Sequence, residues 1–213
     1  MIKELEDALI ALYRLEPAHS VTEFLCDLAT AEQALDGKLD RREALIVAET
    51  PDGTEVGLYL SDLILESTRQ RGTLWHTGRH PSDDHFYAVL EGISHFLYFM
   101  HHAEHDNPVS QLELELQAEV DKYAAPLLEG RGVGVIMERS RALRETLFQR
   151  VAFADAPDTE DGDRYRVAHQ HAAAYARYLD ARYVRSGNLT SLVDELRRFY
   201  RGNLRRKLEM IPR

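Results

Sequence analysis

Glu91 and His95 stand four residues apart inside FYAVLEGISHFLYFM, Phe86 to Met100, the most apolar run of the chain. At helical spacing two such side chains meet on one face. Nearly every neighbour is apolar, so that face belongs inside, where an unpartnered carboxylate or imidazole is costly. Three chemistries answer the demand for partners. The pair can hydrogen-bond to each other and fix the packing, which is the simplest reading. The two can be ligands of Zn²⁺ or another divalent ion. They can also act as an acid–base pair without a metal.

The metal reading needs more ligands, because the zincin helix H-E-x-x-H holds two histidines and this one offers only Glu-x-x-x-His. The next segment supplies Glu113, Glu115 and Glu119. Glu113 is already explained as the capping-box partner of Ser110. Glu119 lies beside an apolar stripe and is the best third candidate; Glu115, one turn earlier, is expected closer to solvent. The competing reading of both is a solvated helix face pairing with Lys122. Ser94, Glu113, Lys122 and His169 complete the cluster as supporting residues. His169 falls near a stripe of Tyr165, Ala168, Ala172, Tyr175, Ala176 and Leu179 that is core first. Arg164 could clamp a carboxylate, although pairing with Asp161 or Asp163 is the plainer use. His101, His102 and His105 crowd a helix end and are expected to be exposed there.

Other chemistries find no support. The chain has no G-x-x-x-x-G-K-[ST], G-x-G-x-x-G or G-x-S-x-G pattern, so no cofactor-binding motif and no nucleophile elbow is present. GRGVGV at 130–135 follows a helix and reads as a cap and linker. Cys26, the only cysteine, excludes an intrachain disulfide and a cysteine zinc cage, and is expected in a helix core. No catalytic residue is assigned.

The elements that must position these residues follow from periodicity. Leu5, Leu9, Leu12 and Leu15 form a helical stripe ended by Pro17, and SVTEFLCDLATAEQALDG is expected to restart a helix from a Ser20–Glu23 capping box. EALIVAE and EVGLYLS flank TPDGT and predict a hairpin over about 43–61. A short helix to Gly72 and an irregular stretch with Trp75, His76 and His80 lead to Ser82, which caps a helix to about Glu104. QLELELQAEVDKY alternates like a strand, but its Leu, Glu, Gln and Ala residues are helix formers, which predicts a helix to about Leu128. Helices over about 135–153, 164–184 and 189–211 complete the chain. The predicted fold is α+β: one domain, 1–213, with a helical N-terminus (1–40), a hairpin, and a helical bundle (about 82–208) against which it packs.

With 44% hydrophobic and 29% charged residues the composition is that of a globular protein, and no run reaches the roughly 20 apolar residues of a membrane span. The first residues lack the pattern of a signal peptide, and a cytoplasmic location is expected. The net charge of −10 argues against general nucleic-acid binding. Its distribution is uneven: Arg197 to Arg213 holds seven basic residues against Glu209 alone, a net +6, leaving −16 elsewhere. Such a tail is expected to dock on the acidic body, a second copy or an acidic partner, with Leu196, Phe199, Tyr200, Leu204 and Leu208 inward and the basic residues on the rim.

LEGISHFLYF, VSQLELELQAEVDKY and RYRVAHQHAAAYARYL together resemble an uncharacterised family of bacterial proteins carrying E-G-x-S-H-F, L-E-L-E-x-Q-A-E-V-D-K and R-Y-x-x-A segments. The likeness covers about Ala44 to Leu179. It implies that Glu91, Gly92, Ser94, His95, Glu113, Glu115, Gln117, Glu119, Asp121 and Lys122 are shared features. The resemblance implies no activity; from the Glu/His cluster itself two functions are expected: an interaction or regulatory role around a buried Glu/His cluster, or a zincin-like metal-dependent hydrolase using Glu91 and His95 as ligands.

Overall fold

The computed structural model describes residues 1–51, 53–69, 83–129, 133–149 and 159–212. Helix α1 (Ile2–Tyr13) buries Leu5, Leu9 and Tyr13 on one stripe and stops at Arg14, whose left-handed backbone (φ 52°) lets its N–H reach the Ile10 carbonyl. The Ser20–Glu23 capping box forms, but it opens only a 3₁₀ turn over Val21–Glu23. The helix expected there is replaced by β1 (Leu25–Cys26), which runs parallel to β3 (Gly53–Leu60). Leu58 donates its N–H to the Phe24 carbonyl (2.8 Å), so sheet pairing overrides local helix propensity. Cys26 is accordingly half-buried rather than core. Helix α2 (Leu28–Ala34) starts only after Asp27 accepts from the Thr30 N–H at 2.8 Å.

The expected hairpin is present. β2 (Glu43–Thr50) pairs antiparallel with β3 from Glu43↔Leu60 to Thr50↔Gly53, and the sheet order is β1-β3-β2. Helices α3 (Asp62–Arg69), α4 (Asp83–Ala103), α5 (Gln111–Leu128), α6 (Val133–Phe148), α7 (Glu160–Leu179), α8 (Leu189–Tyr200) and α9 (Leu204–Met210) form the rest, with a π turn at Asp180–Val184. The architecture is a helix-rich α+β bundle with a small mixed sheet against it. α7 begins ahead of the expected start at about 164: Thr159 caps it, and Glu160, Asp161 and Asp163 sit in the first turn, where the helix dipole favours them. The single C-terminal helix expected divides at Gly202, and Asn203 caps α9 by accepting from the Arg206 N–H at 3.0 Å. The expectations on Asp52, Gly72, Trp75, His76, His80, Ser82 and residues 130–132 lie outside the described residues.

α5 is the axis of the bundle. It packs on α4, α7, α6 and α1 and buries Leu116, Val120, Tyr123 and Leu127 together with Glu113, Glu115, Gln117 and Asp121. Both arms of the Ser110–Glu113 capping box are made. α4, which packs on α5, buries Phe86, Leu90, Ile93 and Leu97. The sheet approaches α4 at Gly92, where a Cβ would lie 2.9 Å from Leu60 Cδ2 and 3.2 Å from Leu58 Cδ1. Only glycine admits that contact. No described helix is long and apolar enough to cross a membrane.

The basic tail docks on the chain itself. Leu196, Phe199 and Tyr200 are buried, Tyr200 stacks on Tyr13 at 4.1 Å, and Arg197 and Arg201 donate to the Leu12 and Tyr13 carbonyls, each at 2.8 Å. Two expectations are corrected here. Leu208 is exposed, whereas Lys207 is wholly buried with Nζ 2.5 Å from Gln117 Oε1 and 4.1 Å from the centre of the Tyr98 ring. His102, expected exposed, is buried with Nε2 3.3 Å from the Tyr200 carbonyl.

Burial pushes the Lys207 amine down from 10.5 to about 7. Between those values the unfolded chain holds one more proton than the folded one, so this group makes stability rise with pH across the window. Urea unfolding of wild type and Lys207→Met at pH 6.5 and 9.5 should show the stability difference moving in favour of wild type at the higher pH.

Candidate metal centre

Glu91 and His95 project from α4 on the face turned to β2 and α5. The expected pair is not a simple one. His95 is 5% exposed and lies between two other carboxylates, with Nδ1 3.7 Å from Glu43 Oε2 and Nε2 3.6 Å from Glu115 Oε2. Both separations exceed hydrogen-bond length, and His95 Nε2 and Glu43 Oε2 are buried atoms without a hydrogen bond. One donor atom each from Glu91, His95 and Glu115 falls within 4.8 Å of the others. Two ligands about 2.1 Å from one tetrahedral ion lie roughly 3.4 Å apart. The imidazole–carboxylate spacing therefore fits shared coordination better than direct contact.

Glu91 instead accepts from Lys122 at 3.2 Å. Lys122 also pairs with Glu119, which lies 3.0 Å from His169 Nδ1. The ranking of the two α5 candidates is thus reversed. Glu115, expected near solvent, is buried and faces His95, while Glu119 belongs to a neighbouring Lys122–His169 group. The physical reason is that α5 has almost no solvent side, so a residue off its apolar stripe is still inside. Ser94 serves elsewhere: its hydroxyl donates to Asp121 Oδ2 at 2.6 Å, and Gln117 donates to the other Asp121 oxygen at 2.8 Å. Glu113 is the cap partner expected of it.

The electrostatics divide accordingly. Burial pushes Glu91 up to about 7, against the pull of Lys122 and with the push of Glu43 and Glu115. Burial alone would lower His95, but Glu115 and Glu43 outweigh it and hold the imidazole well above 6.5. Glu119 resists burial through Lys122 and His169 and stays at about 2. The acidic cluster thus attracts a cation at its centre: a proton on His95, or a metal ion that displaces it.

Four participants escaped the sequence reading or entered it only in part. Glu43 comes from the first position of β2, Arg41 from the residues before it, and Tyr165 had been taken as core alone. Arg164 does pair with Asp161, at 2.8 Å, but it also places its buried Nε 3.9 Å from Glu115 Oε1. No short-range spacing marks Glu43, because it reaches the site only through the hairpin.

Comparison with protein-family models, with curated proteins and with solved structures returned no match for this chain.

Lys122 is the cation that both Glu91 and Glu119 share at 12% exposure. Lys122→Met would leave two largely buried carboxylates without it and should cost about 3 kcal/mol in urea unfolding.

Proposed function

We propose that the protein binds a divalent metal ion through Glu91, His95 and Glu115 and uses it as a Lewis acid in a hydrolytic reaction. The observation that carries this reading is the buried imidazole with Nε2 3.6 Å from Glu115 and no hydrogen bond. A purely structural Glu–His contact would close that gap, since an unsatisfied buried polar atom is costly.

Glu43 supports the same reading from the other side of the ring. A metal-bound histidine turns its second nitrogen to a carboxylate that orients it and raises its basicity, and Glu43 faces Nδ1. One imidazole with carboxylate oxygens suits Zn²⁺, Mn²⁺ or Fe²⁺. Three protein ligands leave a position at which such an ion activates water. The arrangement departs from the zincin helix, because its ligands come from α4 and α5. The family likeness belongs to this proposal, since the E-G-x-S-H-F and L-E-L-E-x-Q-A-E-V-D-K segments supply all three ligands.

The other expectation, an interaction or regulatory protein with a structural polar core, is favoured by the Lys122–Glu119–His169 group, where each side chain has an opposite charge or hydrogen-bond partner. That group lies beside the proposed ligands and can hold the helices while the ligands hold an ion.

Elemental analysis of untagged protein should find about one equivalent of a divalent metal. Chelation should lower the melting temperature of wild type, because an ion at 100 times its Kd stabilises the folded state by about 2.7 kcal/mol. His95→Ala should abolish the response. Metal-free protein with no response to chelator or added Zn²⁺, Mn²⁺ or Fe²⁺ would remove the basis of this function.

A further inference from the structure

At the solvent side of the cluster, two guanidinium groups hold one carboxylate between them. Arg164 Nη1 lies 2.8 Å from Asp161 Oδ1, and Arg41 Nη2 pairs with the other oxygen, Oδ2. Arg41 Nη1 also donates to the Tyr165 hydroxyl at 2.9 Å, and both guanidiniums lie within 6 Å of the Tyr165 ring, at 5.9 and 5.4 Å. The two arginines come from different elements, the lead into β2 and the first turns of α7, so the geometry is tertiary.

Exposure falls step by step along this path. The side chains of Arg41 and Asp161 are each 42% exposed, Arg164 is 13% and Glu115 is 8%. The buried Arg164 Nε, without a hydrogen bond, points at the Glu115 end of the cluster. One arginine thus spans the distance from an exposed carboxylate to the proposed ligands.

We propose that Arg41 and Arg164 form a clamp for a carboxylate of a small ligand, and that Asp161 fills this clamp while the ligand is absent. Paired guanidiniums match the two oxygens of a carboxylate, one on each. Asp161 is the more exposed partner of Arg164, and its pair with Arg41 is exposed on both sides and contributes little to stability, so an incoming carboxylate can replace it from solvent. A ligand held there would extend its other end past Arg164 toward Glu115 and His95. A carboxylate suits the site better than a phosphate: a second negative charge would stand close to Glu115, with Glu43 and Glu91 behind it. The clamp's role as the handle of a substrate rests on the metal reading; the clamp itself does not.

Calorimetric titration with butyrate, using butyramide and inorganic phosphate as controls, tests this on protein as purified and after chelation. Butyrate should bind and butyramide should not. Asp161→Asn, at an exposed position, should tighten butyrate at least tenfold by removing the internal competitor. Arg164→Gln should weaken it at least tenfold, and Arg41→Gln should do so as well. Metal content measured on each sample separates the two readings. Butyrate binding that depends on Asp161 and Arg41 in metal-free protein would uphold the clamp while the metal function fails. Protein that holds its metal, yet gains nothing from Asp161→Asn or prefers phosphate, would overturn the clamp and leave the metal reading intact.

Discussion

The constraint on which the rest of the structure depends is the burial of α5 on nearly every side. A helix at the centre of a bundle is expected to be apolar all round, yet this one carries Glu113, Glu115, Gln117, Glu119, Asp121 and Lys122. Every one of those groups must find a partner on another element or on its own helix, because water cannot serve them there. The neighbours of α5 are therefore chosen by polar chemistry as well as by apolar packing.

Two kinds of solution appear along that one helix. Toward α1 and the C-terminal segment the polar groups form a network: Tyr13 and Gln117 donate to one oxygen of the Asp121 carboxylate, Ser94 to the other, and Lys207 to Gln117. Burial still raises Asp121 to about 6, but its hydrogen bonds are complete enough to fix one packing of α1, α4, α5 and α9. Toward β2 and α7 the solution is open. His95, Glu43 and Arg164 each keep a buried atom without a hydrogen bond: His95 and Arg164 face Glu115, and Glu43 faces the other side of the His95 ring.

What could be read in advance followed the range of the interactions. The hairpin, the Ser110–Glu113 box and the burial of Glu91 and His95 all rest on residues within one or two turns of each other, so spacing exposes them. The partner of His95 does not. Glu43 lies more than forty positions upstream and arrives through sheet pairing, and Glu115 was passed over because a stripe argument assumes that a helix has a wet side. Lys207 stood in a basic run in which Arg198, Arg201, Arg205 and Arg206 are exposed, and nothing beside it signals a cage of rings and an amide. The two-residue β1 is set by the edge of β3, which overrode a sound local cap at Ser20.

The contact between α1 and the C-terminal helices has a consequence for how the chain is made. Tyr13 stacks on Tyr200, and the last carbonyls of α1 are closed by Arg197 and Arg201. At the usual elongation rates of about 5–20 residues per second, the partner of Tyr13 leaves the ribosome about 10–40 s after Tyr13 itself. Through that interval α1 can pack on α4 and α5 but not on α8, and the closure between Tyr13 and Tyr200 waits for the C-terminal helices. The C-terminal end of α1 is thus secured only once α8 has been made, well after the helix itself.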